Sequence, residues 1–266
     1  MTRYKQAILD LKDTLYYDTK EGIVLRDGAK ELIDYLEESN FPYALATNST
    51  TMSVNEMVSQ LNAAGLNTQS RKIINPVPLT ISYLKAKGIE KVLIISSSEG
   101  IKRQFQSYGI ELIADFEDSA NVPIVIGYER IQNQVRDLAI RYASIGSEII
   151  ALNGRYTRRG KDGRTEDDAM AIALSIAKRA GKCLDDIRIM GKPSNGFFEE
   201  ILRSNLPFNE PRITIAIGDT PDIDFATPKK MGMGTIQVLA HETGRWDFAD
   251  YVVREPNEII EILRKN

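Results

Sequence analysis

The chain of 266 residues sets 34 Lys and Arg against 37 Asp and Glu, a formal net charge of −3, and is 42% hydrophobic. Such a chain can bury a full core in one large or two small domains, and it gives no electrostatic reason to expect nucleic acid as a partner. One cysteine, Cys183, and one histidine, His241, exclude an intrachain disulfide and any zinc site built from several histidines or thiolates. No apolar run approaches the roughly 18 residues that span a membrane, so no membrane partner is expected. Met1 to Gln6 leads directly into an apolar run without a signal peptide, and a cytoplasmic location is expected. No G-x-S-x-G nucleophile elbow is present to use His241. Chemistry must rest on carboxylates, lysines and hydroxyls.

In chain order, Ala7 to Leu11 reads as a buried parallel strand that delivers Asp10 to its end. An amphipathic helix is expected over 27–38, with Ala29, Leu32, Ile33 and Leu36 on one face. A second strand over 41–46 runs into Thr47-Asn48-Ser49-Thr50, and Ser53 opens a helix that stops at Gly65. Ile73-Ile74 is a short strand, after which Pro76 and Pro78 mark a domain crossing. A second α/β region follows. Helices are expected near 79–87, 100–108 and 132–145, and strands at 91–96, 122–126 and 148–152. Asn153 to Arg164 is a basic, glycine-rich loop, and Thr165 to Asp168 caps a helix closing at Gly181. From 187 the first pattern resumes with Ile187 to Met190 and then Gly191-Lys192-Pro193. A helix carries Phe197, Phe198, Ile201 and Leu202, and a buried strand over 213–217 runs into Gly218-Asp219-Thr220-Pro221-Asp222-Ile223-Asp224. Strands near 235–239 and 250–253 and a helix over 257–264 complete the chain. Alternating strands and helices imply parallel sheets with right-handed crossovers.

Three of these strands end in polar residues: Asp10, Thr47-Asn48, and Asp219 with Asp224 close behind. In an open parallel sheet the carboxyl ends of the strands are where ligands bind. Carboxylates gathered there need a cation, and hard oxygen ligands without histidine or cysteine suit magnesium. Lys192 adds a positive point charge, completing the donor set of a phosphate site.

Asp10 to Thr14, Thr47-Asn48, Lys192, and Gly218-Asp219 through Asp224 resemble, in this order, the four motifs of the haloacid dehalogenase superfamily. The Gly-Lys-Pro and the run from Gly232 to Leu239 look like its p-nitrophenyl phosphatase or NagD-like branch. The resemblance implies an α/β fold: a doubly wound, Rossmann-like parallel core over 1–77 and 187–266, with an α/β cap inserted over 78–186. It implies a Mg2+-dependent phosphatase acting on a small phosphorylated metabolite, as a monomer or homodimer. Asp10 would be the nucleophile and Lys192 its charge partner; Thr47, Asn48 and Ser49 would bind substrate. Asp10, the Lys12 backbone carbonyl, Asp219 and Asp224 would bind metal.

Two positions depart from that pattern. The family expects Asp-x-Asp-Gly-Thr; this chain has Asp-Leu-Lys-Asp-Thr. Lys12 stands where the family's acid–base aspartate would be, and Asp13 where its glycine would be. General acid–base help is worth about 10² to 10⁴ in rate. At about 4 Å a Lys12–Asp10 attraction would be worth roughly 4 kcal/mol at an effective dielectric near 20, enough to compete with the metal. The alternative to an active phosphatase is therefore an impaired relative that binds a phosphorylated metabolite or a partner. A one-residue slip would let Asp13 supply the missing acid.

Overall fold

The computed structural model describes residues 4–19, 21–117, 119, 121–128, 133–159, 164–240 and 244–265. The chain divides into two compact units. One comprises Met1–Thr47, Val54–Ile74 and Lys192–Asn266; the other Asn48–Ser53 and Asn75–Gly191.

The first unit is built on a six-stranded sheet in the order Tyr251–Val253, Gly234–Val238, Thr214–Gly218, Gln6–Asp10, Tyr43–Ala46, Ile73–Ile74, every pair parallel. Gln6–Asp10 and Thr214–Gly218 are buried at every position. Both faces of such a sheet are covered, which is why these strands read as unbroken apolar runs. The helix Ala29–Glu38 buries Ala29, Leu32, Ile33 and Leu36, and Asn195–Ser204 buries Phe197, Phe198, Ile201 and Leu202, the faces their periodicity predicts. The first strand has later strands on both sides, so connections leave it in opposite directions and its carboxyl end is a topological switch point. Leu9 sits level with Ile217 and Asp10 with Ala46, which brings the residues following each strand out at one edge. An antiparallel hairpin, Tyr16–Thr19 with Gly22–Leu25, follows directly after the first strand.

The second unit carries a five-stranded sheet in the order Ile187–Ile189, Ile149–Ala151, Ile124–Ile126, Lys91–Ile95, Glu111–Leu112, again parallel throughout. Alternation along each strand splits its residues between two cores. Leu93, Ile95, Ile124, Ile126 and Ile149 pack with Ala139, Tyr142 and Ala173 on one face. Val92, Ile94, Val125 and Ile150 pack with Val77, Ile81, Leu84, Ile101 and Phe105 on the other.

Several elements differ from expectation. Ile187–Ile189, expected to open the return to the first sheet, pairs with Ile149–Ala151 in the second; a three-residue Ile-Arg-Ile strand carries no mark of which sheet receives it. Asn48–Ser53, expected with the first domain, groups with the second unit. The helix expected from near 79 already begins at Pro76, spanning Pro76–Ala86, and is capped by the Asn75 carboxamide, which accepts from the Val77 N–H at 3.1 Å. Proline suits a first helical turn, where its missing N–H has no partner to lose. Thr165–Asp167 is a strand paired with Thr157–Arg159, and only Asp168 caps the helix Ala169–Arg179. Among the described residues no helix is long and apolar enough to cross a membrane.

Candidate active site

Within the first unit, the carboxyl ends of two adjacent strands bring Asp10, Asp219 and Asp224 together. All three are buried, and one oxygen of each lies within 4.8 Å of the others. Asp10 ends its strand, Asp219 follows Thr214–Gly218, and Asp224 lies one turn on, in the short helix Pro221–Asp224. Gly218 makes the arrangement possible: a Cβ there would sit 2.5 Å from Asp224 Oδ2 and 2.6 Å from its Cγ.

Lys192, 2% exposed, bridges two of the carboxylates. Its ammonium donates to Asp10 Oδ1 at 2.5 Å and to Asp224 Oδ1 at 2.7 Å. Burial works against that charge, but the carboxylates of Asp10 and Asp224 outweigh it and hold the Lys192 pKa above its ordinary value. Hydroxyls complete the cluster. Thr14 Oγ1 donates to Asp10 Oδ2 at 3.1 Å and lies 3.4 Å from Asp219 Oδ1. Thr220 Oγ1 donates to Asp219 Oδ2 at 2.8 Å, and its N–H to Asp224 Oδ2 at 3.0 Å. Thr14 and Thr220 were not singled out by sequence. A threonine after an aspartate is common, and only the fold shows which carboxylate it serves.

Three carboxylates and one ammonium leave two formal negative charges in excess among these four groups. Buried like charges at this spacing are unfavourable without a compensating cation. The donors are all hard oxygens, and a divalent cation of the magnesium type fits both their charge and their chemistry.

The other predicted residues are placed as follows. Thr47, 2% exposed, follows the strand Tyr43–Ala46 in the first unit, and its N–H donates to the Ile74 carbonyl at 2.9 Å. Asn48 and Ser49 belong to the second unit. There, a Cβ on Gly191 would lie 2.5 Å from Asn48 Oδ1, and Ser49 Oγ is 3.2 Å from Thr51 Oγ1. The Lys12 ammonium is not on Asp10. It pairs with Asp18 Oδ2 on the hairpin at 2.9 Å, and Lys192 pairs with Asp10. The hairpin explains the change, since Lys12 bridges Tyr16 and thereby comes within reach of Asp18.

Asp13 has φ 64, the left-handed conformation a glycine would adopt freely. Aspartate thus occupies a backbone position that glycine takes without strain. The Tyr16 hydroxyl beneath it is pushed up by burial and by the carboxylates of Asp18, Asp10 and Asp13, and stays neutral. Trp246 stacks on Phe225 with centroids 5.6 Å apart. In the basic loop, Arg158 lies over the Tyr128 ring at 3.7 Å and beside Glu166 at 3.8 Å. His241 and the loop's Gly160 to Gly163 lie outside the described residues.

Comparison with known proteins agrees with the fold. A haloacid dehalogenase-like hydrolase model matches residues 7–111, and a HAD-hydrolase-like model matches residues 189–265. An acid sugar phosphatase of Staphylococcus haemolyticus is 23% identical over 279 residues, covering 100% of this chain and 99% of the relative. A solved p-nitrophenyl phosphatase from Archaeoglobus fulgidus superposes with a TM-score of 0.82 at 22% identity, covering 97% of this chain and 99% of the other. NagD from Escherichia coli K-12 does so with a TM-score of 0.80 at 19% identity, covering 97% and 98%.

Proposed function

The chain belongs to the haloacid dehalogenase-like hydrolases, and from that premise we propose that it is a magnesium-dependent phosphatase that hydrolyses a small phosphomonoester through an aspartyl-phosphate on Asp10. One observation carries the reading: a buried Asp10 carboxylate at a strand's end, held by Lys192 beside Asp219 and Asp224.

In this reading an Asp10 oxygen attacks phosphorus. The carboxylate–phosphorus bond forms, the phosphorus–oxygen bond to the organic group breaks, and the alkoxide leaves. Water then attacks the same phosphorus, releasing inorganic phosphate and restoring the carboxylate. Lys192 keeps the Asp10 carboxylate oriented and offsets the charge that builds on the phosphoryl oxygens. Thr14 fixes the second oxygen of Asp10. Thr47 holds a further phosphate oxygen. Asp10, the Lys12 carbonyl, Asp219 and Asp224 would hold Mg2+, which supplies neutralisation of the carboxylate and phosphate charge when bound. Asp224, both of whose oxygens accept from protein donors, also orients Lys192. The departing alkoxide takes its proton from water, because Lys12 is turned onto Asp18.

The acid sugar phosphatase relative and the p-nitrophenyl phosphatase neighbour support a phosphomonoester substrate. A second reading, a protein that binds a phosphorylated metabolite or a partner without efficient turnover, draws on the missing carboxylate at position 12. Hydrolysis of p-nitrophenyl phosphate with Mg2+ decides between them. The phosphatase reading expects wild type to exceed Asp10→Asn by at least about 10³-fold, the scale of removing a nucleophile. A wild-type rate no higher than that of Asp10→Asn overturns it.

A further inference from the structure

Arg26 is a buried cation that the chemistry above leaves unused. It directly follows the hairpin strand Gly22–Leu25 and is 6% exposed. Among the described residues the carboxylate paired with it is Glu255, 46% exposed, at 3.7 Å from Nη2. The guanidinium instead grips three backbone carbonyls. Nη1 donates to Asp13 O at 2.8 Å, and Nη2 donates to Arg254 O at 2.6 Å and to Leu239 O at 3.1 Å. Nε has no hydrogen-bond partner. A guanidinium out of water, with one distant and half-exposed counter-charge, is an expensive way to fill a core. Its use lies in the fork, which spans several acceptors in a fixed plane as an ammonium cannot.

The three carbonyls are not equivalent. Leu239 and Arg254 each directly follow a strand of the parallel sheet, Gly234–Val238 and Tyr251–Val253, so they are rigid anchors. Asp13 is the strained member, a non-glycine residue at φ 64, a conformation that crowds any Cβ. Among the described residues, its N–H donates to Tyr16 O at 2.7 Å and its carbonyl accepts from Arg26. The turn it occupies runs from Asp10 to Thr14, and Thr14 Oγ1 donates to Asp10 Oδ2.

We propose that Arg26 is a positioning residue for the nucleophile: it fastens the strained Lys12–Asp13 turn to two fixed strand ends and thereby keeps Asp10 and Thr14 in register. The proposal rests on the phosphatase reading for its kinetic arm only. Glycine adopts positive φ unaided, so dependence on Arg26 should weaken when Asp13 becomes glycine.

The test uses the full chain as wild type, Arg26→Met, Arg26→Lys, Asp13→Gly and the Arg26→Met/Asp13→Gly double variant, assayed with p-nitrophenyl phosphate and Mg2+. Misplacement of a reacting group by about 1 Å costs on the order of 10²-fold. Arg26→Met is expected to lose about that much in kcat with KM little changed, and Asp13→Gly to restore about a tenfold part of it. Arg26→Lys keeps the charge but not the fork and should resemble Arg26→Met; it carries the comparison if the methionine variant does not fold. Hydrogen–deuterium exchange supplies an arm independent of turnover. The Asp13 amide should exchange at least about tenfold faster in Arg26→Lys, while the Ile8 and Leu9 amides of the strand stay protected. A fall in melting temperature with kcat unchanged overturns the proposal. So does an equal kcat loss in both backgrounds, or unchanged Asp13 exchange. If wild type itself does not turn over, the phosphatase reading fails, and the exchange arm alone decides for or against Arg26.

Discussion

Replacing Lys12 by aspartate should raise the rate, and the structure sets both the gain and the cost. The Lys12–Asp18 pair is 2.9 Å long, with side chains 26% and 33% exposed, so solvent screening limits it to less than about 1 kcal/mol. The substitution removes that pair and faces Asp18 with a like charge, so the expected loss of stability is about 1 to 2 kcal/mol. Against this stands a carboxyl group where a proton is needed for the leaving group. That is worth about 10²-fold or more, or about 2.7 kcal/mol of barrier. The gain should depend on the leaving group. An alkyl phosphate, whose alkoxide must be protonated, should gain about 10²-fold in kcat; p-nitrophenyl phosphate, whose phenolate departs unaided, should gain less. Adding Asp18→Lys should recover the lost stability by restoring an opposite-charge pair, and should remove much of the gain, because the paired carboxyl is drawn onto position 18 and held ionised. Steady-state rates on both substrates, with urea unfolding on each variant, make the comparison. A folded Lys12→Asp protein whose alkyl phosphatase rate does not rise would refute the reasoning that proton supply is what position 12 lacks.

Other consequences can be measured independently. Gly218→Ala puts a methyl group 2.5 Å from the Asp224 carboxylate; it should lower stability by about 1 to 3 kcal/mol, read by thermal unfolding, and weaken the response to Mg2+. Magnesium should raise the melting temperature in a concentration-dependent way, adding about 2.7 kcal/mol of stability at a hundredfold excess over Kd, and Asp219→Asn should abolish the shift; equal shifts in both proteins would contradict the carboxylate site. In the second unit, partial burial pushes the Glu148 carboxyl up, but hydrogen bonds from Arg188, Tyr83 and Lys87 outweigh it and hold its pKa below the ordinary value. A depressed carboxylate pKa contributes stability that is present above the unfolded value and lost as pH falls through the folded one. Glu148→Gln should therefore be less stable than wild type at pH about 7, and the gap should close below pH about 4.5, as followed by urea unfolding at both pH values.

The parts of the fold that sequence revealed are those where burial forces a pattern. Gln6–Asp10 and Thr214–Gly218 are covered on both faces, so their apolar runs had no other reading. The helix faces at Ala29 to Leu36 and Phe197 to Leu202 followed from a period of 3.6 residues. What stayed hidden depends on long-range choices. Ile187–Ile189 could have joined either sheet, since three alternating residues fit both. The hairpin Tyr16–Leu25 has two strands of partly exposed residues and no clean alternation, so the partner of Lys12 was invisible. The gathering of Asp10 and Asp219 was legible because each lies at or just after the end of a strand in one parallel sheet, with Asp224 one turn on; Lys192 follows a strand of the other sheet, so its place among them came from the motif resemblance alone. Arg26 was not legible. In a sequence, an arginine that grips three carbonyls in a core looks like any arginine that meets water.

The central claim is that Asp10 becomes covalently phosphorylated during turnover. Acid quenching of the enzyme during p-nitrophenyl phosphate hydrolysis with Mg2+, followed by peptide mass mapping, tests it most directly. The account predicts a phosphoryl group on Asp10 that is absent without substrate and absent from Asp10→Asn. Steady turnover with Asp10 unmodified, or an Asp10→Asn protein that hydrolyses the substrate as fast as wild type, would contradict it.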